Sequence, residues 1–174
     1  MDVNKLLSRY RAGEKDFNGA ILHQANLQNT DLSGINLCAA DLSGADLSGA
    51  KLKGCNLSRA NLTDADLSGA DLSNANLSEI NLIGADLINA NLERANLQKA
   101  DLRSANLTNA NMYEANLAEA ELSGADLTQA NLKDANLPNS NDADLIKSKI
   151  AKQDTETEIH TGTSHRWVSW AGSR

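Results

Sequence analysis

The histidines and cysteines are the side chains of this sequence that most readily do chemistry, and they are scattered along the chain. His160 and His165 are close enough to share a metal ion, but no third ligand stands beside them, and His23 is isolated. Cys38 and Cys55 form no disulfide framework, which predicts a reducing, cytoplasmic location. No phosphate-binding loop or nucleophile elbow is present. We therefore expect no catalytic residue, cofactor or metal, and a protein that is not an enzyme.

Four aspartates recur in one register of the chain and form a candidate acidic interaction face, which we call the acidic column: Asp46, Asp66, Asp86 and Asp126. They lie 20 residues apart, except that Asn106 stands between the last two. Such carboxylates could bind a cation, bind a basic partner, or accept hydrogen bonds from backbone N–H groups at turns. The backbone-capping role is the simplest of these interpretations.

The charge and hydropathy of the chain exclude two classes of partner. The net charge is −7, and no cluster of Lys or Arg is available to bind phosphates. No run of 18 apolar residues is present, and the N-terminal segment lacks the apolar stretch of a secretory signal. We expect neither nucleic acid nor membrane as a direct partner.

The structure that positions these residues follows from a repeat of five residues, as in "ADLSGADLSGAKLKG" at 40–54. Leucine is the centre of every pentad from Leu22 to Leu137 except at Met112, which makes 24 consecutive pentads. Alanine stands two residues before the centre in 20 of the 24, and Asp or Asn stands directly before it in 21. The two residues after the centre vary and are mostly polar.

A period of five residues fits neither regular secondary structure. On a helix, successive leucines would be rotated by about 140°, and on a strand they would alternate between faces. If the chain instead turns after each pentad, every leucine can point inward, as in a solenoid. Asparagine precedes the centre in every member of one column with a step of 20, which indicates four pentads per coil and about six coils: Asn36, Asn56, Asn76, Asn96, Asn116 and Asn136.

The run A-(D/N)-L-x-x from Ala20 to Asn139 resembles the pentapeptide repeat proteins and covers about 120 of the 174 residues. The resemblance implies an all-β fold, a right-handed quadrilateral β-helix of about six four-sided coils. It also implies that the central residues fill the interior. The predicted structural core includes Phe17, Leu22, Leu42, Leu62, Leu77, Leu82, Leu102, Met112 and Leu137.

We divide the chain into an N-terminal cap helix and entry at 1–16, a repeat region at 17–139, and an irregular cap with a flexible tail at 140–174. Within the first segment, apolar residues at helical spacing predict a helix over 2–12, with Asp2 as its N-cap and Gly13 as its stop. Pro138 interrupts the repeat at the other end.

These features favour a non-catalytic scaffold that presents its surface to an unidentified protein partner, as a monomer or an end-to-end homodimer. The alternative comes from the resemblance, because some pentapeptide repeat proteins confer quinolone resistance by binding DNA gyrase in place of DNA. The acidic column would then imitate DNA phosphates. An acidic surface that keeps the rod soluble is the simpler interpretation of the same charges.

Overall fold

The computed structural model describes residues 1–138, and the cap and tail predicted at 140–174 lie outside the described residues. One helix, α1 at Val3–Arg11, precedes a run of pentads in which the chain turns once per pentad. No helix among the described residues is long and apolar enough to cross a membrane.

Parallel β-bridges join each pentad to the pentad one coil away. The 21 bridges run from Asp16↔Asn36 to Asn116↔Asn136, always between residues 20 positions apart. Each bridge falls on the residue before a centre, so four pentads make one coil. The bridges are isolated, and no longer strand forms within 1–138, in contrast to the strands of an all-β fold. The physical reason is the turn in every pentad, which leaves each side too short for consecutive bridged residues.

The interior is filled by the central residues and by the small residue two positions before each of them. The centres from Leu27 to Leu117 are at most 1% exposed. Among the predicted core residues, those from Phe17 to Met112 are buried, whereas Leu137 is only partly buried. Within the described residues, only the preceding coil packs against Leu137, which explains its greater exposure.

All five backbone N–H groups of pentad 65–69, in the middle of the repeat, have a hydrogen-bond acceptor. In pentad 65–69, three N–H groups donate to neighbouring coils and one closes the turn onto the preceding centre. The fifth donates to the Asp66 carboxylate at 2.8 Å. Since unpaired buried backbone groups are costly, this pairing explains how a chain made mostly of turns remains ordered.

From Gly19 to Asp134, the second residue after each centre lies at the corner and adopts a positive φ. A turn closed by the N–H of the following pentad, with positive φ at its third residue, has the geometry of a type II turn. Glycine meets this requirement without strain at positions such as Gly44 and Gly69. Sixteen other residues adopt φ between 53° and 60° here, including Ala39 and Arg59. In the sequence this position is only variable and mostly polar, so its requirement for a positive φ is a finding of the structure.

Helix α1 covers the N-terminal end of the coils, in the segment where the sequence predicts a cap helix. The Asp2 carboxylate accepts a hydrogen bond from the N–H of Asn4 at 3.3 Å, which caps the first turn. Gly13 follows the helix with φ of +97°. Leu6 is fully buried in the core, and three further apolar side chains are partly buried against it: Val3, Leu7 and Tyr10.

The cap segment also supplies donors to carbonyl groups at the open edge of the first coil. The Tyr10 hydroxyl and the Lys15 ammonium donate to the carbonyl oxygen of Ser33, at 2.8 and 3.3 Å. The N-terminal ammonium of Met1 donates to the carbonyl oxygen of Ile21. These carbonyls have no preceding coil to pair with, so the cap satisfies part of an otherwise exposed edge.

Candidate functional site

The acidic column is built into the turns of one side of the coil. Each carboxylate accepts a hydrogen bond from the N–H two residues later, at 3.1 Å for Asp46, 2.8 Å for Asp66, 3.1 Å for Asp86 and 2.9 Å for Asp126. An Asx side chain that bonds its own backbone in this way stabilises the turn. The backbone-capping role is therefore present at all four positions.

The bridges bring three members of the acidic column together and separate the fourth. Asp46, Asp66 and Asp86 are paired in consecutive coils, whereas Asn106 lies between Asp86 and Asp126. The first three are partly buried and Asp126 is exposed. No Lys or Arg occupies the same side of the repeat from position 25 to 129. The side therefore presents three stacked negative charges without a neutralising cation of its own.

Hydrogen bonding keeps the Asp46 carboxylate ionised. Partial burial would raise its pKa, but hydrogen bonds from the hydroxyl and N–H of Ser48 and from the Gln28 amide outweigh this effect. The pKa of Asp46 therefore lies below its ordinary value. Among residues 1–138, no group of three or more His, Cys, Asp or Glu side chains is placed to hold a metal ion.

Asparagines on another side form a continuous side-chain ladder. The Nδ2 group of each donates to the Oδ1 atom of the asparagine one coil earlier, at distances from 2.9 to 3.5 Å. Asp16 accepts the corresponding bond from Asn36 at 2.8 Å. An aspartate can accept such a bond but cannot donate one, so the two columns differ in chemistry although their backbones are equivalent.

Within residues 1–138, the remaining candidates for chemistry are not assembled into a catalytic site. His23 Nδ1 lies 2.8 Å from Ser43 Oγ, but the Ser43 hydroxyl donates to Asp41 at 2.7 Å. Its proton is directed to the carboxylate rather than to the imidazole, so the serine is not activated as a nucleophile. Burial raises the pKa of Cys55 to about 12, and Cys38 lies 3.4 Å from the Ser58 hydroxyl. His160 and His165 lie outside the described residues.

A groove between α1 and the first coil was not predicted from the sequence. Its volume is about 510 Å³. Three helix residues line one wall and three residues of the first coil line the other: Leu7, Tyr10, Arg11, Asn29, Thr30 and Asp31. The position of the helix on the coil creates this groove, and no motif in the sequence marks it. The sequence signal for an edge here is that a predicted helix, rather than a pentad, lies directly before the repeat.

Comparison with known proteins gives a family match over most of the chain. A family model described as pentapeptide repeats matches residues 11–37, 40–78, 75–113 and 105–141, with 8 copies.

Among solved structures, alr5209, a pentapeptide repeat protein from Nostoc Pcc 7120, is 48% identical over 60% of this chain and 80% of its own, with a TM-score of 0.43. The pentapeptide repeat protein Rfr23 from the cyanobacterium Cyanothece 51142 is 27% identical over 76% of this chain and 99% of its own, with a TM-score of 0.39. QnrB1, a plasmid-mediated fluoroquinolone resistance protein, is 18% identical over 78% of this chain and 95% of its own, with a TM-score of 0.38. No curated protein matches the chain.

Proposed function

The chain belongs to the pentapeptide repeat family, and from this premise we propose that it is a non-catalytic scaffold whose outer surface binds another protein. The observation that carries this proposal is that different positions of the pentad serve the core, the turn and the outer surface. The inward positions and the residue before each centre hardly vary, because the core and the turns use them. The two positions after each centre differ from coil to coil, and they give each side of the rod its own pattern of exposed side chains.

Site-specific cross-linking tests this proposal. A photoreactive amino acid is placed at one exposed corner on each side, at Asp64, Asn74, Glu79 and Asn89 in separate variants. In cells that express the protein, we expect one protein to be captured from one side or from two adjacent sides. Equal capture of abundant proteins from all four sides would contradict a specific scaffold.

We also infer that the coil has the right-handed quadrilateral form that the family resemblance implies. Four ladders of bridges with a step of 20 residues support the four-sided part of this inference. A crystal structure would test the hand of the coil directly, and a left-handed coil would overturn the inference.

The second candidate function is inhibition of DNA gyrase, or of a related topoisomerase, by imitation of DNA. The three stacked carboxylates on a side without cations favour it. Its test is a supercoiling assay across a micromolar titration at low and moderate salt. Inhibition by a DNA mimic should weaken steeply as salt rises, because it depends on charge.

The acidic column offers a conservative variant for this assay. Changing all four aspartates to asparagine removes the charge but retains an Oδ1 acceptor for each turn. We expect this variant to lose inhibition, while the control variant Glu79→Gln with Glu119→Gln, on the side of the asparagine ladder, retains it. Absence of inhibition by the unmodified protein at every concentration would reject the gyrase hypothesis.

A further inference from the structure

Among the described residues, the edge of the first coil has backbone groups that lack partners, although the equivalent groups one coil later are paired. In the second coil, the N–H and C=O of Asp46 bond to the first coil at 2.9 and 2.7 Å, and the C=O of Ser48 accepts a bond at 2.9 Å. The N–H and C=O of Lys51 each make a bond of 2.8 Å. Five intercoil hydrogen bonds thus hold this stretch of backbone.

The corresponding five groups of the first coil belong to Asn26, Gln28 and Asp31. Within residues 1–138, the N–H and C=O of Asn26, the C=O of Gln28, and the N–H and C=O of Asp31 make no hydrogen bond. The donors from the cap segment reach Ile21 and Ser33, on either side of this stretch. Asn26, Gln28 and Asp31 are exposed. By contrast, Asp46, which is paired with Asn26 one coil later, is partly buried. With respect to residues 1–138, the edge at 26–31 is therefore open and retains the hydrogen-bonding pattern of a missing coil.

The groove described above runs beside this edge. Its coil wall is the corner at 29–31, and its helix wall is formed by Leu7, Tyr10 and Arg11. Both Leu7 and Tyr10 are only partly buried, so they offer apolar contact area. Exposed backbone edges commonly bind an added segment through main-chain hydrogen bonds, with pockets beside the edge selecting its side chains.

The charges at the groove indicate which side chains such a segment carries. Arg11 is exposed and forms no ion pair among the described residues, whereas Arg9 pairs with Glu14. The one acidic group on the groove walls, Asp31, accepts hydrogen bonds from the N–H and hydroxyl of Ser33 at 3.1 and 2.8 Å. An acidic side chain next to the helix wall would meet the unpaired guanidinium of Arg11.

We propose that the groove between α1 and the 26–31 edge docks a short acidic segment of another protein, which takes the place of two preceding pentads. Backbone N–H groups of the segment donate hydrogen bonds to the C=O groups of Asn26 and Gln28, before the corner at Asn29. A further N–H donates to the C=O of Asp31, after that corner. It accepts hydrogen bonds from the N–H groups of Asn26 and Asp31. An apolar side chain packs on Leu7 and Tyr10, and an acidic side chain pairs with Arg11. This inference rests on the proposed scaffold function and adds a surface and a partner chemistry to it.

A fluorescent peptide of two pentads, Ala-Asp-Leu-Glu-Glu repeated, is the probe for this site. We expect it to bind the full chain in fluorescence anisotropy, and the same peptide with N-methylated backbone amides to fail. Arg11→Glu should weaken binding about tenfold or more, because it replaces an ion pair with repulsion. The matched control Arg59→Glu reverses an exposed charge away from the cap and should leave binding unchanged.

Three results would overturn the docking site. They are absence of binding at millimolar peptide, equal binding of the N-methylated peptide, and equal binding to the Arg11→Glu variant. Sedimentation of the protein alone gives a further test, because self-association abolished by Arg11→Glu would assign the edge to a second copy instead. If the cross-linking experiment captures a partner on a side of the rod and the peptide does not bind, the scaffold function stands and only this inference fails.

Discussion

At the scale of the residue, the position before each centre decides the chemistry of each side. Aspartate and asparagine both offer an Oδ1 atom to the N–H two residues later. Only asparagine can also donate to the preceding coil, as Asn76 does to Asn56 in the ladder. The carboxylates of the acidic column thus stabilise their own turns but repel one another between coils.

Two substitutions at Asp66 distinguish the stabilisation of the turn from the repulsion between carboxylates. Asp66→Ala removes the acceptor of the Ser68 N–H and should cost about 1 kcal/mol of unfolding free energy. Asp66→Asn retains the acceptor and removes repulsion from Asp46 and Asp86, so its melting temperature should equal or exceed that of the unmodified protein. Thermal unfolding by circular dichroism measures both, and equal losses in the two variants would contradict the turn-capping role.

The two cysteines should differ sharply in reactivity. Burial raises the pKa of Cys55 to about 12, whereas Cys38 is only partly buried. At pH 8 the native protein should therefore be alkylated by iodoacetamide at Cys38 and not at Cys55, because the thiolate is the reactive form. Peptide mass spectrometry with and without denaturant checks this, and rapid native labelling of Cys55 would show that its side chain does not point inward.

At the scale of the element, the pentad combines a buried centre with a strained corner. The centre supplies apolar burial, while the second residue after it takes a positive φ whatever its side chain. A non-glycine residue in that conformation costs about 1 kcal/mol or more relative to glycine. The repeat tolerates this cost at many corners because burial and intercoil hydrogen bonds outweigh it.

The corner requirement predicts a stabilising exchange at Ala39, which has φ of 53°. Ala39→Gly should raise the unfolding free energy by several tenths to about 1 kcal/mol, because the strain is relieved. The matched control is Ala118→Gly, one position earlier in its pentad and without a positive φ, which should lose stability through the added chain entropy. Chemical denaturation measures both, and destabilisation by both exchanges would contradict the corner geometry.

The buried centre predicts a larger loss at Leu77, which is 1% exposed in the middle of the rod. Leu77→Ala should cost about 2–5 kcal/mol through lost burial and the cavity that remains. Ser78→Ala, at the next position, should change the unfolding free energy by less than about 0.5 kcal/mol. Urea titration provides the comparison, and an unchanged midpoint for Leu77→Ala would place that side chain outside the core.

At the scale of the whole molecule, the coils stack in one direction, so the first and last coils each lack a neighbour on one side. Repeat proteins need terminal caps because an end repeat exposes apolar surface and unpaired backbone. Helix α1 performs this role at the first coil, with Leu6 buried in the core and Tyr10 bonded to Ser33. In the part of the chain that the structure describes, the 26–31 edge remains uncovered, which is the basis of the docking site inferred above.

If α1 protects the end of the first coil, a charged residue on the buried face of the helix should cause self-association. Leu6→Glu places a charge at a fully buried position and should release α1, exposing the end of the first coil. We expect concentration-dependent self-association in analytical ultracentrifugation, since exposed edges pair with one another. Lys5→Glu, at the neighbouring exposed position, is the control and should sediment as the unmodified protein does. Identical sedimentation of both variants would show that the helix does not protect this end.

Several features could be predicted from the sequence because they depend only on local periodicity. A leucine at every fifth position requires a turn in every pentad if the leucines are to share an interior, and the asparagine column indicates a coil of 20 residues. The pentad pattern also predicts the family, which the family match confirms. The spacing of apolar residues near the N-terminus predicts a helix over 2–12, and α1 spans Val3–Arg11.

Other features exist only in the tertiary structure. The positive φ at Ala39 or Arg59 has no sequence signal, because the stacked coils impose it on residues that would otherwise avoid it. The groove beside Arg11 arises from the way α1 lies on the first coil, and the unpaired groups at 26–31 arise because no coil precedes them. Periodicity by itself determined which side chains face inward, since each pentad repeats the same local choice. Stacking and capping decided which polar groups remain free to bind a partner, since that depends on residues 20 positions apart and on how the helix docks.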